Sequence, residues 1–292
     1  FLDGPAENDV AFNHKKGQFT DDTGQALVLL DSIESTDYEP DTRDIALRML
    51  AWAEKENAFE NNILGPTSKV ALANFRDNIQ DSRITDKALS NGSAMRIAPI
   101  GCLFRPEQKE DIARYVYLVS RATHTSDVTI AGAAMIAEAV SSAIVKDDFE
   151  KVMEDVFGIE EIGYGMGCET FSPRLGERLR IGLDIAGSYK GDDEGFIHKL
   201  YDVVGTGVGI IESVPAALSV AYYAQDPNLS CLLCANMAGD TDTIGAMATA
   251  VCGAFTGMGR IKPEYIRTLR QQNDADFDHY IRILEKGRER FA

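Results

Sequence analysis

Two short segments concentrate carboxylate and hydroxyl oxygens immediately before apolar helical runs: Thr20-Asp21-Asp22-Thr23 and Gly239-Asp240-Thr241-Asp242-Thr243. If each opens a helix, Asp240 and Thr243 lie three residues apart on one face with Asp242 beside them. Thr20, Asp21 and Asp22 then form a similar compact cluster of oxygens. Two kinds of chemistry suit such clusters. Asp and Thr at a helix start satisfy free N–H groups and complement the helix dipole, which is a capping role. Alternatively, four carboxylates drawn together repel one another unless cations separate them, and oxygen donors without His or Cys suit Mg2+, Mn2+ or Ca2+ rather than zinc. The segments are 218 residues apart, and spacing alone does not show that they meet.

The elements that must position these residues read as helices nearly throughout. Apolar residues recur at helical spacing in Ala26, Leu27, Leu30 and Ile33, in Ile45, Met49 and Trp52, and in Leu72, Phe75 and Ile79. Further helical patterns run through 107–122, 128–145, 172–187, 194–204, 209–225, 240–255 and 275–290, while Pro66, Pro215 and Pro263 suit first-turn or boundary positions. No repeat or linker divides residues 1–292, so an all-α fold in one domain is expected. The runs Ala131-Gly132-Ala133-Ala134 and Gly245-Ala246-Met247-Ala248 carry no reactive group and point to close helix packing at the centre of a bundle. Glu160 to Ser172, with Gly163, Gly165 and Gly167 at every second position, reads as a loop or lid between helical halves.

Composition narrows the partners. With 292 residues, 45% hydrophobic and 26% charged, the chain can bury a large core. Its 29 Lys and Arg against 46 Asp and Glu leave a net charge of −17, a poor field for gathering phosphate backbones, so nucleic acid is not an expected partner. Five scattered cysteines make no disulfide framework and favour a reducing cytoplasm. The longest uncharged stretch, Thr243 to Gly259, is 17 residues and weakly apolar, short for a membrane span; no signal peptide is read at the start. The first residue is Phe, and further upstream sequence is expected.

Five motifs in this order and register carry a resemblance: Thr20-Asp21-Asp22-Thr23, Asn91-Gly92-Ser93-Ala94-Met95-Arg96-Ile97-Ala98-Pro99-Ile100-Gly101, Thr123-His124, Glu212-Ser213-Val214-Pro215-Ala216-Ala217 and Gly239-Asp240-Thr241-Asp242-Thr243. Over roughly residues 17 to 257 the chain resembles the ADP-ribosylglycohydrolase family, which includes the dinitrogenase reductase-activating glycohydrolases. The resemblance implies an orthogonal all-α bundle with a dinuclear magnesium or manganese centre that hydrolyses a bond at the ribose of an ADP-ribosyl group. Its metal ligands fall on Thr20, Asp21, Asp22, Asp240, Asp242 and Thr243, with Asp22 and Asp242 also orienting water or accepting its proton. Gly92, Ser93, Ala94 and Met95 correspond to a small-residue substrate wall, where Gly92 leaves space for a ribose or phosphate, and Arg96 would order that loop through carbonyls. His124 would donate to a phosphate or ribose oxygen, and Glu212 and Ser213 would support the site or reach it. Substrates would be an ADP-ribosylated protein or a small ADP-ribosyl or ribosyl compound. The rivals are hydrolysis of a smaller compound such as a nucleoside, and a non-catalytic ADP-ribose-binding relative. Oligomeric state is not legible.

Two departures from the family pattern stand out. Near Asn61, Asn62, Gly65, Pro66, Thr67 and Ser68, many family members carry an acid where this chain has Asn, and the neighbouring Glu60 is expected to face solvent. The family's opening glycine-acid motif has no complete copy here; Gly4-Pro5-Ala6-Glu7 reads as its tail, with Glu7 as the glutamate near the reacting centre. Cys231-Leu232-Leu233-Cys234 lies in an apolar helical run without a partner pair and reads as core thiols. Gly205-Thr206-Gly207-Val208-Gly209 lacks a Walker lysine and reads as a loop near the cleft.

Overall fold

A computed structural model describes residues 14–61 and 63–291. It is 69% helical, with fifteen helices and no sheet among the described residues, an orthogonal all-α bundle as the periodicity and the resemblance require. The helices are α1 (Asp21–Ser35), α2 (Thr42–Lys55), α3 (Pro66–Arg76), the short α4 (Arg83–Asp86) and α5 (Ala98–Gly101), α6 (Lys109–Ser120), α7 (Asp127–Val145) and α8 (Phe149–Tyr164). There follow α9 (Leu175–Ser188), α10 (Asp193–Val203), α11 (Ile210–Ala224), α12 (Pro227–Met237), α13 (Thr241–Thr256), α14 (Pro263–Gln272) and α15 (Phe277–Phe291).

The core is organised around α7. Ser126 caps its first turn, and every residue from Asp127 to Ala143 is buried, so this helix is buried all round rather than on one stripe. By length and composition it could cross a membrane, but 89% of that window is buried inside the molecule. It is wrapped by α5, α6, α8, α11 and α13. The small-residue run lets neighbours come close: a Cβ on Gly163 of α8 would stand 2.6 Å from the Cα of Ala131, so only glycine permits this crossing. Each fully buried aliphatic side chain in this cluster contributes about 1.5–3 kcal/mol of transfer free energy.

Three local expectations are corrected. The segment Glu160 to Ser172 is not a loop throughout, because α8 continues to Tyr164; its apolar residues Val152, Val156 and Ile159 keep one face on the core, and Gly163 is used for packing. Ile79 is not part of α3, which ends at Arg76; Asn78 takes a left-handed φ of 56° that turns the chain and leaves Ile79 52% exposed. Pro215 lies inside α11 rather than at its boundary. Proline offers no N–H to the carbonyl of Ile211, and Arg178 of α9 fills the gap by donating from Nη1 to that oxygen at 3.3 Å.

The C-terminal helices hold the entrance to α1. Asn273, which ends α14, accepts a hydrogen bond from the Phe19 N–H at 3.0 Å and donates to the Gly17 carbonyl at 2.8 Å. The segment leading into Thr20 is thereby fixed by residues more than 250 positions away.

Candidate metal centre and its cleft

The two oxygen-rich segments meet. Asp21, Asp22 and Asp242 each place a carboxylate oxygen within 4.8 Å of the others, and Asp240 lies close enough to interact electrostatically with Asp21 and Asp22. They stand at the N-termini of α1 and α13, which pack against each other. Capping does not explain them. Thr20 and Asp240 occupy N-cap positions, yet neither makes a side-chain capping hydrogen bond. Asp41, Ser126, Asp148, Asp192 and Asp226 at other helix starts all do. The oxygens at α1 and α13 are instead turned toward each other: Thr20 Oγ1 donates to Asp22 Oδ2 at 2.6 Å, and Asn91 Nδ2 donates to Asp240 Oδ2 at 2.6 Å.

Two loops lock the second cluster in place. Ala238 and Gly239 both have positive φ, 68° and 85°. A Cβ on Gly239 would come within 2.3 Å of the Thr206 carbonyl oxygen, so glycine is required there. Thr206 clasps this turn by accepting from the Asp240 N–H at 2.7 Å and donating from Oγ1 to the Ala238 carbonyl at 3.0 Å. Asn91 is held in turn by an antiparallel bridge between Ser90 and Gly209 and by its own N–H bond to the Val208 carbonyl at 3.1 Å. The glycine-rich segment Gly205 to Gly209 is therefore a loop at the cleft, as the sequence suggests.

The electrostatics of the cluster are unfavourable without compensation. Burial, reinforced by Asp22 and Asp242, pushes the Asp21 carboxyl up to about 8. Burial and the Asp242 charge push Asp22 up to about 6, against the opposing pull of the Thr20 and Thr243 hydroxyls. Burial likewise raises Asp240, against its bond from Asn91. Asp22 is only 2% exposed, and its Oδ1 has no hydrogen-bond partner. A buried carboxylate oxygen without a donor is costly, and a hard cation is the partner its chemistry asks for.

A cleft of about 630 Å3 opens over the cluster. Thr20, Asp21, Asp240, Asp242 and Thr243 line one side, and Ser68, Ser90, Asn91, Gly92 and Met95 line the facing wall. Several residues expected on that wall sit one layer behind it. Ser93 is buried and donates to the Thr129 carbonyl at 3.0 Å, and Ala94 is buried in the core. His124 is fully buried, its Nδ1 against Thr123 Oγ1 at 2.8 Å and its Nε2 against Ser90 Oγ at 3.0 Å; burial, then Arg96, holds it well below the ordinary histidine range and keeps it neutral. Gly92 is needed for this ring, since a Cβ would meet His124 Cε1 at 2.8 Å. The sequence reading assigned that space to a ligand; the structure gives it to His124. Ser213 is buried with its hydroxyl on the Gly209 carbonyl, and Glu212 folds onto its own loop, accepting from the Gly207 N–H at 2.9 Å. Both therefore support the loop, because their polar atoms are satisfied within it. Glu60 is exposed as expected, and Glu7 and Asn62 lie outside the described residues.

Sequence reasoning gave no role to Asn91 or Thr206, though both stand in motifs it quoted, and did not single out Gln25. Gln25 follows Asp21 by one helical turn and donates to its Oδ2 at 3.2 Å, so the i, i+4 spacing was a usable signal. Arg96 is buried and orders its surroundings through side chains rather than carbonyls: Nη1 donates to Gln25 Oε1 at 2.8 Å and Nη2 to Thr123 Oγ1 at 2.7 Å.

Comparison with known proteins bears on the family and the fold. The sequence model of the ADP-ribosylglycohydrolase family matches residues 2–290. YegU of Escherichia coli strain K12 is 41% identical over 290 residues, covering 99% of this chain and 86% of that protein. The human ADP-ribosylhydrolase ARH3 is 24% identical, over 88% of this chain and 76% of its own length. A solved structure described as an ADP-ribosylglycohydrolase-related protein complex superposes with a TM-score of 0.67 at 21% identity, covering 94% of this chain and 83% of that one, a likeness of fold.

Proposed function

The chain belongs to the ADP-ribosylglycohydrolase family, and from that premise we propose that it hydrolyses the N- or O-glycosidic bond at the ribose of an ADP-ribosyl group, with two divalent ions as cofactors. The observation that carries the reading is the convergence of Asp21, Asp22 and Asp242 at one side of the cleft, with Asp22 Oδ1 buried and unpartnered. Thr20, Asp21 and Asp22 would hold the ions together with Asp240, Asp242 and Thr243. Bound there, Mg2+ or Mn2+ supplies positive charge for substrate oxygens and lowers the pKa of bound water.

The protein's own residues do the rest. Asp242 is exposed at the cleft and Asp22 is buried beside it; the pair would orient a water and accept its proton as the water oxygen displaces the leaving group, the bond from the anomeric carbon to nitrogen or oxygen breaking and the proton passing to the departing group. Asn91 keeps Asp240 in position, and the Thr206 clasp keeps the turn before α13 from moving with it. Gly92, Met95, Ser68 and Ser90 form the wall against which the ribose and diphosphate would rest. In a chain of net charge −17, local hydroxyl and N–H donors on that wall matter more than the overall field.

The test is a side-by-side assay of ADP-ribosyl-arginine, ADP-ribosyl-serine, O-acetyl-ADP-ribose and a nucleoside, each with Mg2+, with Mn2+ and with chelator. Turnover of an ADP-ribosyl compound that chelator abolishes, and that folded Asp22→Ala and Asp242→Ala variants both lose, is expected. Turnover indifferent to chelator, a preference for the nucleoside, or ADP-ribose binding without any turnover would overturn it.

A further inference from the structure

A buried hydrogen-bond network joins the acidic cluster to the opposite wall of the cleft, and Arg96 sits at its centre. One arm runs from Arg96 Nη1 to Gln25 Oε1 and from Gln25 Nε2 to Asp21 Oδ2. The other runs from Arg96 Nη2 through Thr123 and His124 to Ser90, and from Ser90 to Thr67 Oγ1 at 2.9 Å. The guanidinium is 1% exposed and, among the described residues, no carboxylate forms an ion pair with it.

Because a guanidinium only donates, it fixes the sense of the arm through Gln25, and the Ser90 hydroxyl, which donates to Thr67, fixes the sense of the other. Gln25 must present its carbonyl to Arg96, which leaves its NH2 for Asp21 and commits Asp21 Oδ2 to accept. Because the Ser90 proton goes to Thr67, Ser90 accepts from His124, so the neutral ring carries its proton on Nε2 and its Nδ1 accepts from Thr123 Oγ1, which in turn accepts from Arg96. Ser90 Oγ thus accepts from His124 Nε2 and gives its own proton to Thr67 Oγ1, which leaves it one lone pair with which to accept.

We propose that Gln25 and Arg96 are positioning residues: the Arg96 guanidinium orients the metal-facing carboxylate of Asp21 through Gln25 and, through Thr123 and His124, sets the Ser90 hydroxyl on the facing wall as an acceptor. The inference rests on the metal reading above. It goes beyond that reading in tying both sides of the cleft to one buried cation. Partners behind a metal ligand typically alter metal affinity about 10–100-fold when removed.

Isothermal titration of Mn2+ and, at saturating Mg2+, of ADP-ribose separates the arms in the unaltered protein, Gln25→Leu and Thr123→Val, each also melted in EDTA. Gln25→Leu is expected to weaken Mn2+ binding roughly tenfold or more. Thr123→Val is expected to weaken ADP-ribose binding several-fold while leaving Mn2+ affinity within about twofold, since its arm does not reach Asp21. If Gln25→Leu does not fold, Gln25→Asn, which withdraws the donor from Asp21 by one methylene, carries the same expectation. Unchanged Mn2+ affinity in the folded Gln25 variant overturns the proposal. So does an equal loss in Thr123→Val, which would make the network generic packing. Metal affinity decides this whether or not the protein turns a substrate over, whereas an unaltered protein that binds no Mn2+ removes both readings.

Discussion

Asp22 shows the cost and the use of the cluster in a single side chain. One oxygen accepts from Thr20, the other is buried without a partner, and burial beside Asp242 pushes its carboxyl up to about 6. Asp22→Asn removes the charge but keeps the shape. It should lower Mn2+ affinity at least tenfold, abolish chelator-sensitive turnover, and leave the melting temperature in EDTA unchanged or higher, because the repulsion it removes exceeds the pull of the Thr20 and Thr243 hydroxyls that it weakens. Calorimetric titration and melts on the same preparation check both halves, and a large drop in the EDTA melt would contradict the account. Gly92→Ala tests the wall. Its methyl would press on the buried His124 ring and on Ser68 Oγ, 3.2 Å away, and overpacking of this kind costs about 1–3 kcal/mol. Urea unfolding should show that loss together with weaker ADP-ribose binding. The acidic residues of the site were legible because their types and spacing are themselves the chemistry. Whether His124, Ser93 or Ser213 faces the cleft was not, since depth depends on which neighbour satisfies each polar atom, and those neighbours, such as the Thr129 carbonyl, lie far along the chain.

At the scale of elements, the site depends on how α1 and α13 begin. The turn into α13 holds Ala238 at φ 68° and ψ 169°, a region that only glycine occupies without strain. Ala238→Gly should therefore stabilise the protein by about 1 kcal/mol, the relieved strain of about 1–3 kcal/mol less the extra freedom glycine brings to the unfolded chain. Gly239→Ala should do the reverse and cost more than Gly92→Ala, because the atom it meets at 2.3 Å is the rigid Thr206 backbone. Comparative chemical denaturation of the two variants would settle the order. The long helices were readable from periodicity because most pack one apolar stripe on the core, as α6 and α10 show within two residues of their expected ranges. Reading failed where tertiary contacts override local signals. Gly163 looks like a loop residue until Ala131 is seen against it, and Pro215 looks like a helix start until Arg178 is seen supplying the missing donor. Such compensations come from other helices, so no local window contains them.

For the molecule as a whole, protons and divalent ions compete for the same carboxylates, and this governs how stability responds to pH. Asp21 at about 8 and Asp22 at about 6 hold protons in the folded state that they release in the unfolded chain, where carboxyls titrate near 3.8. Between pH 4 and pH 8 these two carboxyls bind more protons in the folded state and lower the stability of the metal-free protein as pH rises; His124, kept neutral by burial, opposes them only below its unfolded value of 6.5 and is one group against two. Glu138 adds to the same slope: it is fully buried on α7, paired with Lys109 at 2.6 Å, and burial pushes it up to about 7. The two contributions separate because only the cluster responds to Mg2+. Ions that bind the folded state alone at 100 times their dissociation constant add about 2.7 kcal/mol, or roughly 5–10 °C in melting temperature for a chain of this size. Melts at pH 5, 6.5 and 8, at constant ionic strength and with either EDTA or saturating MgCl2, should show melting temperature falling with pH in EDTA. The Mg2+ increment should grow from pH 5 to pH 8 as protons leave the ligands. Asp22→Asn should suppress that increment but retain the Glu138 share of the EDTA slope, whereas Glu138→Gln should flatten the slope and leave the increment intact. A melting temperature that rises with pH in EDTA, or an increment equal at pH 5 and pH 8, would mean that the carboxylates are not held together as the geometry places them.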